Sequence, residues 1–147
     1  MEEIKSLPVF FIIGRPRTGT TLLRTLFDAH PNVIIPPECA LILNLYPKYK
    51  KVRNWNKKKI NTFLRDVQAQ RKFASWQMDM EKVKNDLLKL KGKASFQDIV
   101  KVLYSDYRSF FNKEEIITLG DKNPVYSINI NQIIEIFPDA KFIHLTR

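Results

Sequence analysis

A single cysteine, Cys39, stands in this chain, so no internal disulfide can form and a small disulfide-stapled fold is excluded. Glycine is nearly as sparse, with four in 147 residues, and no glycine-rich linker or low-complexity tract divides the chain. Long apolar runs are missing as well: residues 9–13 form the first, far short of the ~20 residues a membrane helix needs. The opening Met1-Glu2-Glu3 is acidic, unlike a secretory signal. These absences point to a soluble protein of a reducing compartment, with a cytoplasmic location as the expectation. What is present suffices for a core: 44% of residues are hydrophobic and 12% aromatic, in the length of one domain with no visible boundary.

Charge is unevenly placed. The formal net charge is +10, and residues 48–113 alone hold 18 basic and 6 acidic side chains, an excess of 12. Residues 48–59 carry seven basic side chains and no acidic one, interleaved with Tyr49 and Trp55. Such runs are commonly solvated helix faces, but an anionic partner is allowed.

Val9-Phe10-Phe11-Ile12-Ile13 reads as a strand buried on both faces of a parallel sheet. After an eight-residue loop, Leu22, Leu23, Leu26 and Phe27 recur at helical spacing until Pro31. Val33-Ile34-Ile35 reads as a short strand stopped by Pro36-Pro37, with Glu38 at the start of a further helix. Three helical stripes follow in a basic section at about 44–112: Ile60, Phe63, Leu64 and Val67; Met80, Val83, Leu87 and Leu88, capped by Asp79 and stopped at Gly92; and Ile99, Val100, Leu103, Tyr104 and Tyr107, opened by a Ser95/Asp98 capping box. Ile116-Ile117-Thr118-Leu119 resumes the sheet, Asn123 and Pro124 open a helix carrying Ile130, Ile133, Ile134 and Phe137, and residues 141–146 form a last strand. Strands alternating with helices imply an α/β fold with a mainly parallel sheet. Ligands of such folds lie beyond the carboxyl ends of the strands, where Arg17, Glu38, Lys122 and Arg147 all fall.

Two of the four glycines frame Gly14-Arg15-Pro16-Arg17-Thr18-Gly19, followed by Thr20-Thr21. A loop that turns its N–H groups toward one point needs glycine where a side chain would block the turn, and the next helix adds free N–H groups and the positive end of its dipole. This spacing predicts an anion cradle. Nucleoside triphosphatases place Lys directly after the second glycine, whereas Thr20 stands here, and no strand ends in an Asp suited to magnesium. A phosphate site beside the Arg17 cation, without a metal, fits better.

Phe11-Ile12-Ile13-Gly14-Arg15-Pro16-Arg17-Thr18-Gly19-Thr20-Thr21-Leu22-Leu23 resembles the 5′-phosphosulfate loop of sulfotransferases that use 3′-phosphoadenosine-5′-phosphosulfate (PAPS). Phe142-Ile143-His144-Leu145-Thr146-Arg147 resembles the strand leading into their 3′-phosphate site. Asp121-Lys122-Asn123-Pro124 and Pro36-Pro37-Glu38 are similar to segments of the carbohydrate and tyrosyl-protein branches, while residues 44–112 match nothing specific. The resemblance implies a P-loop-like three-layer fold and an enzyme transferring a sulfuryl group to a hydroxyl or amine. It assigns catalysis to Arg17, as the cation at the departing oxygen, to Glu38, as the base, and to Lys122, at the sulfonate or bridging oxygen. Cofactor binding falls to Arg15, Arg17, Thr18, Gly19, Thr20 and Thr21, with Arg147 as a fork on the 3′-phosphate. No metal is implied.

The chain ends at Arg147, where the family's second motif begins. The expectation is therefore a single incomplete domain over residues 1–147, truncated after the 3′-phosphate strand, with weak or no PAPS binding and no assured turnover by itself. Two other readings compete. One is a P-loop nucleotide kinase or triphosphatase, opposed by Thr20. The other is a nucleic-acid-binding module on residues 48–59, whose mark would be steep salt dependence. That basic stretch better suits steering an acidic acceptor, such as an anionic glycan, toward the loop.

Overall fold

The computed structural model describes residues 1–90 and 93–147. Four strands, β1 (Val9–Gly14), β2 (Val33–Ile34), β3 (Thr118–Lys122) and β4 (Lys141–Leu145), form one sheet in the order β2-β3-β1-β4. All three pairings are parallel. The helices are α1 (Glu2–Ser6), α2 (Thr20–Ala29), α3 (Leu41–Tyr49), α4 (Lys57–Gln68), α5 (Met80–Leu88), α6 (Phe96–Ser105) and α7 (Ile130–Ile136), with 3-10 helices at Phe73–Trp76 and Pro124–Ile128. The α/β class read from the sequence is the observed one.

Strand β1 is buried along its whole length, and its alternate residues feed two cores. Phe10 and Ile12 pack with Val33, Ile35 and the α2 residues Leu23 and Phe27. Val9, Phe11 and Ile13 join the larger cluster formed by α3 to α7. The sheet is thus sandwiched between α2 and the remaining helices, giving three layers. Helix α2 lies on the sheet through the Leu23/Phe27 stripe, one residue round from Leu22 and Leu26, which are 65% and 60% exposed rather than core-facing as expected. The caps at Asp79 and Ser95 form as read, the latter as a full capping box. The expected stop at Gly92 lies outside the described residues.

Two expectations shift. The strand read at 116–119 runs instead over residues 118–122, because β1 pairs with residues 119–122 and leaves Ile117 56% exposed. Gly120, Asp121 and Lys122 therefore belong to β3, and Lys122 is a buried strand residue instead of a loop lysine. Asn123 does cap, accepting from the Val125 N–H, but it opens a 3-10 helix before α7. Tyr49 and Trp55 stack on each other inside the core, 5.6 Å apart, so neither offers a face to nucleic-acid bases.

A polar cluster sits in the core beneath the end of β3. The fully buried Asp121 carboxylate accepts hydrogen bonds from the hydroxyls of Tyr104 and Tyr126, both at 2.5 Å, and from the Lys122 N–H at 2.7 Å. Burial raises its pKa to about 6, and the tyrosine hydrogen bonds offset only part of that rise. The folded state thus holds this proton more tightly than the unfolded chain, so the contribution is greatest below about pH 4 and is lost as pH rises to about 6. Urea titrations across this range should show wild-type stability falling relative to Asp121→Asn up to about pH 6 and staying level above it; a constant difference between the two proteins would contradict the assignment. At Gly14 a Cβ would lie 2.7 Å from the Leu145 carbonyl oxygen across the β1–β4 pair, so Gly14→Ala must displace backbone. We expect it to lower stability by about 1–3 kcal/mol in urea unfolding.

Candidate functional site

Beyond the carboxyl ends of β1 and β3 lies a cleft of about 540 Å³ lined by Pro16, Arg17, Gly19, Thr20, Thr21, Glu38, Lys122 and Pro124. Its floor is the turn from β1 into α2. Gly19 takes the left-handed conformation, φ 92°, at the N-cap of α2, where it supplies no side-chain acceptor. The first-turn N–H groups of this ten-residue helix are therefore left to an external acceptor at the positive end of the dipole. A Cβ at Gly19 would meet nothing closer than 3.8 Å, so the glycine serves the turn, and the space above it is open.

The rest of the loop is internally braced. Thr18 Oγ1 donates to the Arg15 carbonyl at 2.7 Å, which spends that hydroxyl on the loop itself. Gly14 N–H donates to Ser127 Oγ at 3.0 Å, tying the loop's origin to the Pro124–Ile128 turn. Arg17 has φ 65°, a conformation costly for a residue with a Cβ, and the residue lines the cleft while remaining exposed. Arg15 is exposed and, like Thr18, is not among the lining residues.

Glu38 does not begin a helix, contrary to expectation: α3 starts at Leu41 with Ala40 as N-cap. It sits in an irregular segment where Pro36 and Pro37 can donate no hydrogen bond. Side chains hold this segment instead. Arg24 from α2 donates to the Ile35 carbonyl at 2.6 Å and to the Pro36 carbonyl at 3.2 Å. Trp76 Nε1 donates to the Pro37 carbonyl at 2.8 Å, and Ile35 N–H donates to the buried Asp28 at 3.3 Å. Dipole complementation by Glu38 is thereby excluded; its carboxylate faces cations. Lys122 Nζ donates to Oε2 at 2.9 Å and to Thr21 Oγ1 at 3.2 Å, and Lys72 Nζ donates to Oε1 at 2.6 Å. Partial burial raises the Glu38 pKa, but the hydrogen bonds and charges of Lys72 and Lys122 outweigh it and hold the carboxyl below its usual value.

The structure therefore brings Arg17, Gly19, Thr20, Thr21, Glu38 and Lys122 to one cleft, as the sequence led us to expect. Arg147 lies beyond the end of β4, exposed, and donates to the Arg17 carbonyl at 3.1 Å; here it braces the loop. Sequence reasoning missed Lys72, Arg24, Trp76 and Ser127. No motif marks Lys72, which lies 34 residues from Glu38. Arg17, Lys72 and Lys122 against the lone Glu38 leave the site cationic, suited to a dianionic group at the α2 terminus beside a carboxylate able to accept a proton. Among the described residues no group of three or more His, Cys, Asp or Glu has the arrangement of a metal site, and no helix is long and apolar enough to cross a membrane.

Comparison with known proteins finds relatives along nearly the whole chain. Protein-tyrosine sulfotransferase 1 of Danio rerio is 26% identical over 143 residues, covering 97% of this chain and 33% of that protein. Protein-tyrosine sulfotransferase A of Caenorhabditis elegans is 44% identical over 57 residues, 36% of this chain and 15% of that protein. The chain spans about a third of the length of the curated relatives that align along it. The crystal structure of sulfotransferase STF9 from Mycobacterium avium superposes with a TM-score of 0.43 at 19% identity, covering 99% of this chain and 45% of that one. The model of the sulfotransferase family matches residues 8–147, nearly the whole sequence, and the chain accordingly belongs to the sulfotransferase family.

Proposed function

We propose that this cleft is the donor half of a PAPS-dependent sulfotransferase site, acting on a hydroxyl or amine acceptor. The observation that carries the reading is the convergence of Arg17, Lys122 and Glu38 on the N-terminus of α2. In this reading the 5′-phosphate of PAPS takes the first-turn N–H groups and the Thr20 and Thr21 hydroxyls. The acceptor oxygen or nitrogen attacks sulfur in line with the bridging oxygen of the phosphosulfate. As the new bond to sulfur forms, the bond from sulfur to the bridging oxygen breaks and its electron pair stays on that oxygen. Arg17 and Lys122 supply positive charge where this negative charge grows, which favours the transition state over the bound ground state. Glu38 takes the acceptor's proton. It is ionised at neutral pH, the form a base requires, and the two lysines hold its pKa below the usual carboxylate value. Arg147 on the 3′-phosphate and an anionic glycan as acceptor belong to the same proposal; the charge excess of residues 48–113 supports the latter.

A 1H–15N titration of the chain with 3′-phosphoadenosine 5′-phosphate (PAP) tests donor binding at any affinity. The amides of residues 19–22 should shift together, and Arg17→Ala should weaken the response; shifts confined to other surfaces would sink the reading. In turnover assays reading PAP release from PAPS, Arg17→Ala or Lys122→Met should lower the rate by about 10²–10³. Glu38→Gln should lower it by about 10²–10⁴.

A further inference from the structure

Each oxygen of Glu38 accepts a lysine hydrogen bond, so an acceptor approaching this base meets an ammonium at either oxygen. We propose that Lys72 is a displaceable third cation of the site, holding on Glu38 Oε1 the hydrogen-bond position that the acceptor takes over. The inference rests on the reading of Glu38 as the base.

The two lysines are not equivalent. Lys122 is a strand residue with a side chain only 5% exposed, and it is tied also to Thr21 on α2. Removing it from Glu38 would strand a buried ammonium. Lys72 approaches from outside, with a side chain 52% exposed, so water can replace Glu38 around its ammonium at little cost. Its position is nonetheless specified. Lys72 has φ 72° at the N-cap of the Phe73–Trp76 3-10 helix, a left-handed conformation that glycine would adopt without strain. That helix is anchored at the site, since Trp76 donates to the Pro37 carbonyl next to Glu38 and Cys39 Sγ donates to the Arg71 carbonyl at 3.4 Å. A lysine kept at a strained turn, on a helix bonded to the base's own segment, is aimed at that base.

The consequence is a change in basicity during the cycle. With both ammoniums in place Glu38 is held below the ordinary carboxylate range. When an acceptor replaces Lys72, the fixed pair with Lys122 remains while one stabilising charge is withdrawn, and the carboxylate becomes a stronger base at the moment it is needed. The other groups facing Glu38 are Arg17 in the loop, Asp121 on β3, Cys39 beside it and Tyr126 on the 3-10 helix after β3. None of these is exchanged when Lys72 leaves.

Glu38 carboxyl titration by 13C NMR decides the matter without requiring turnover. Lys72→Gly removes the charge and the backbone strain together, so it should fold at least as stably as wild type while the Glu38 midpoint moves up. Lys72→Arg keeps a cation at Oε1 and should leave the midpoint close to wild type. In 15N-lysine spectra the Lys72 ammonium protons should exchange with water much faster than those of Lys122. An unchanged midpoint in Lys72→Gly, or Lys72 protons as protected as those of Lys122, would overturn the proposal and show a surface clip or a fixed strut. Failure of PAP to shift residues 19–22 would instead count against the donor site itself, leaving the ion-pair result to stand or fall separately.

Discussion

The pairing of Lys122 with Glu38 is the constraint around which the site is arranged. An ammonium on a side chain that is 5% exposed needs a compensating charge, and the carboxylate 2.9 Å away provides it. Because Thr21 contacts the same ammonium, the pair also fastens the end of β3 to the first turn of α2. Three segments far apart in the chain meet at one nitrogen.

The irregular segment carrying Glu38 is rigid without being regular. Prolines remove two of its donors, and its carbonyls are taken by a guanidinium from α2 and an indole from the Phe73–Trp76 helix. Glu38 is thus registered against the same helix whose N-terminus lines the cleft. Beneath it, Asp121 and its two tyrosines fill the core where β3 ends, and the Tyr126 hydroxyl also comes within 3.5 Å of the Cys39 carbonyl. The floor of the cleft thus stands over a hydrogen-bonded polar cluster in the core.

Much of this was legible in the residue order. A continuous apolar strand, a loop bounded by two of the chain's four glycines and an amphipathic helix are local features, each fixed by neighbours within a few positions. Caps at Asp79, Ser95 and Asn123 were readable for the same reason. The start of β3 was misplaced because Ile116-Ile117 is apolar enough for a strand, whereas parallel pairing to β1 selects 119–122. The outward turn of Leu22 and Leu26 was hidden likewise, since a helical stripe does not reveal which of its edges meets the sheet.

By itself the sequence determined the glycine-bounded turn from β1 into α2 and the identities of Arg17, Glu38 and Lys122 beside it, because glycine at a left-handed turn, a charge beside it and helix propensity are properties of short stretches. Only the tertiary structure decided that Lys122 is buried, that Glu38 stands clear of any helix, and that Lys72 bonds the second oxygen of the carboxylate. Such outcomes depend on the distance between groups separated by tens of residues. Coulombic and hydrogen-bond energies are set by that distance and by the water excluded from it, and neither is written in local order.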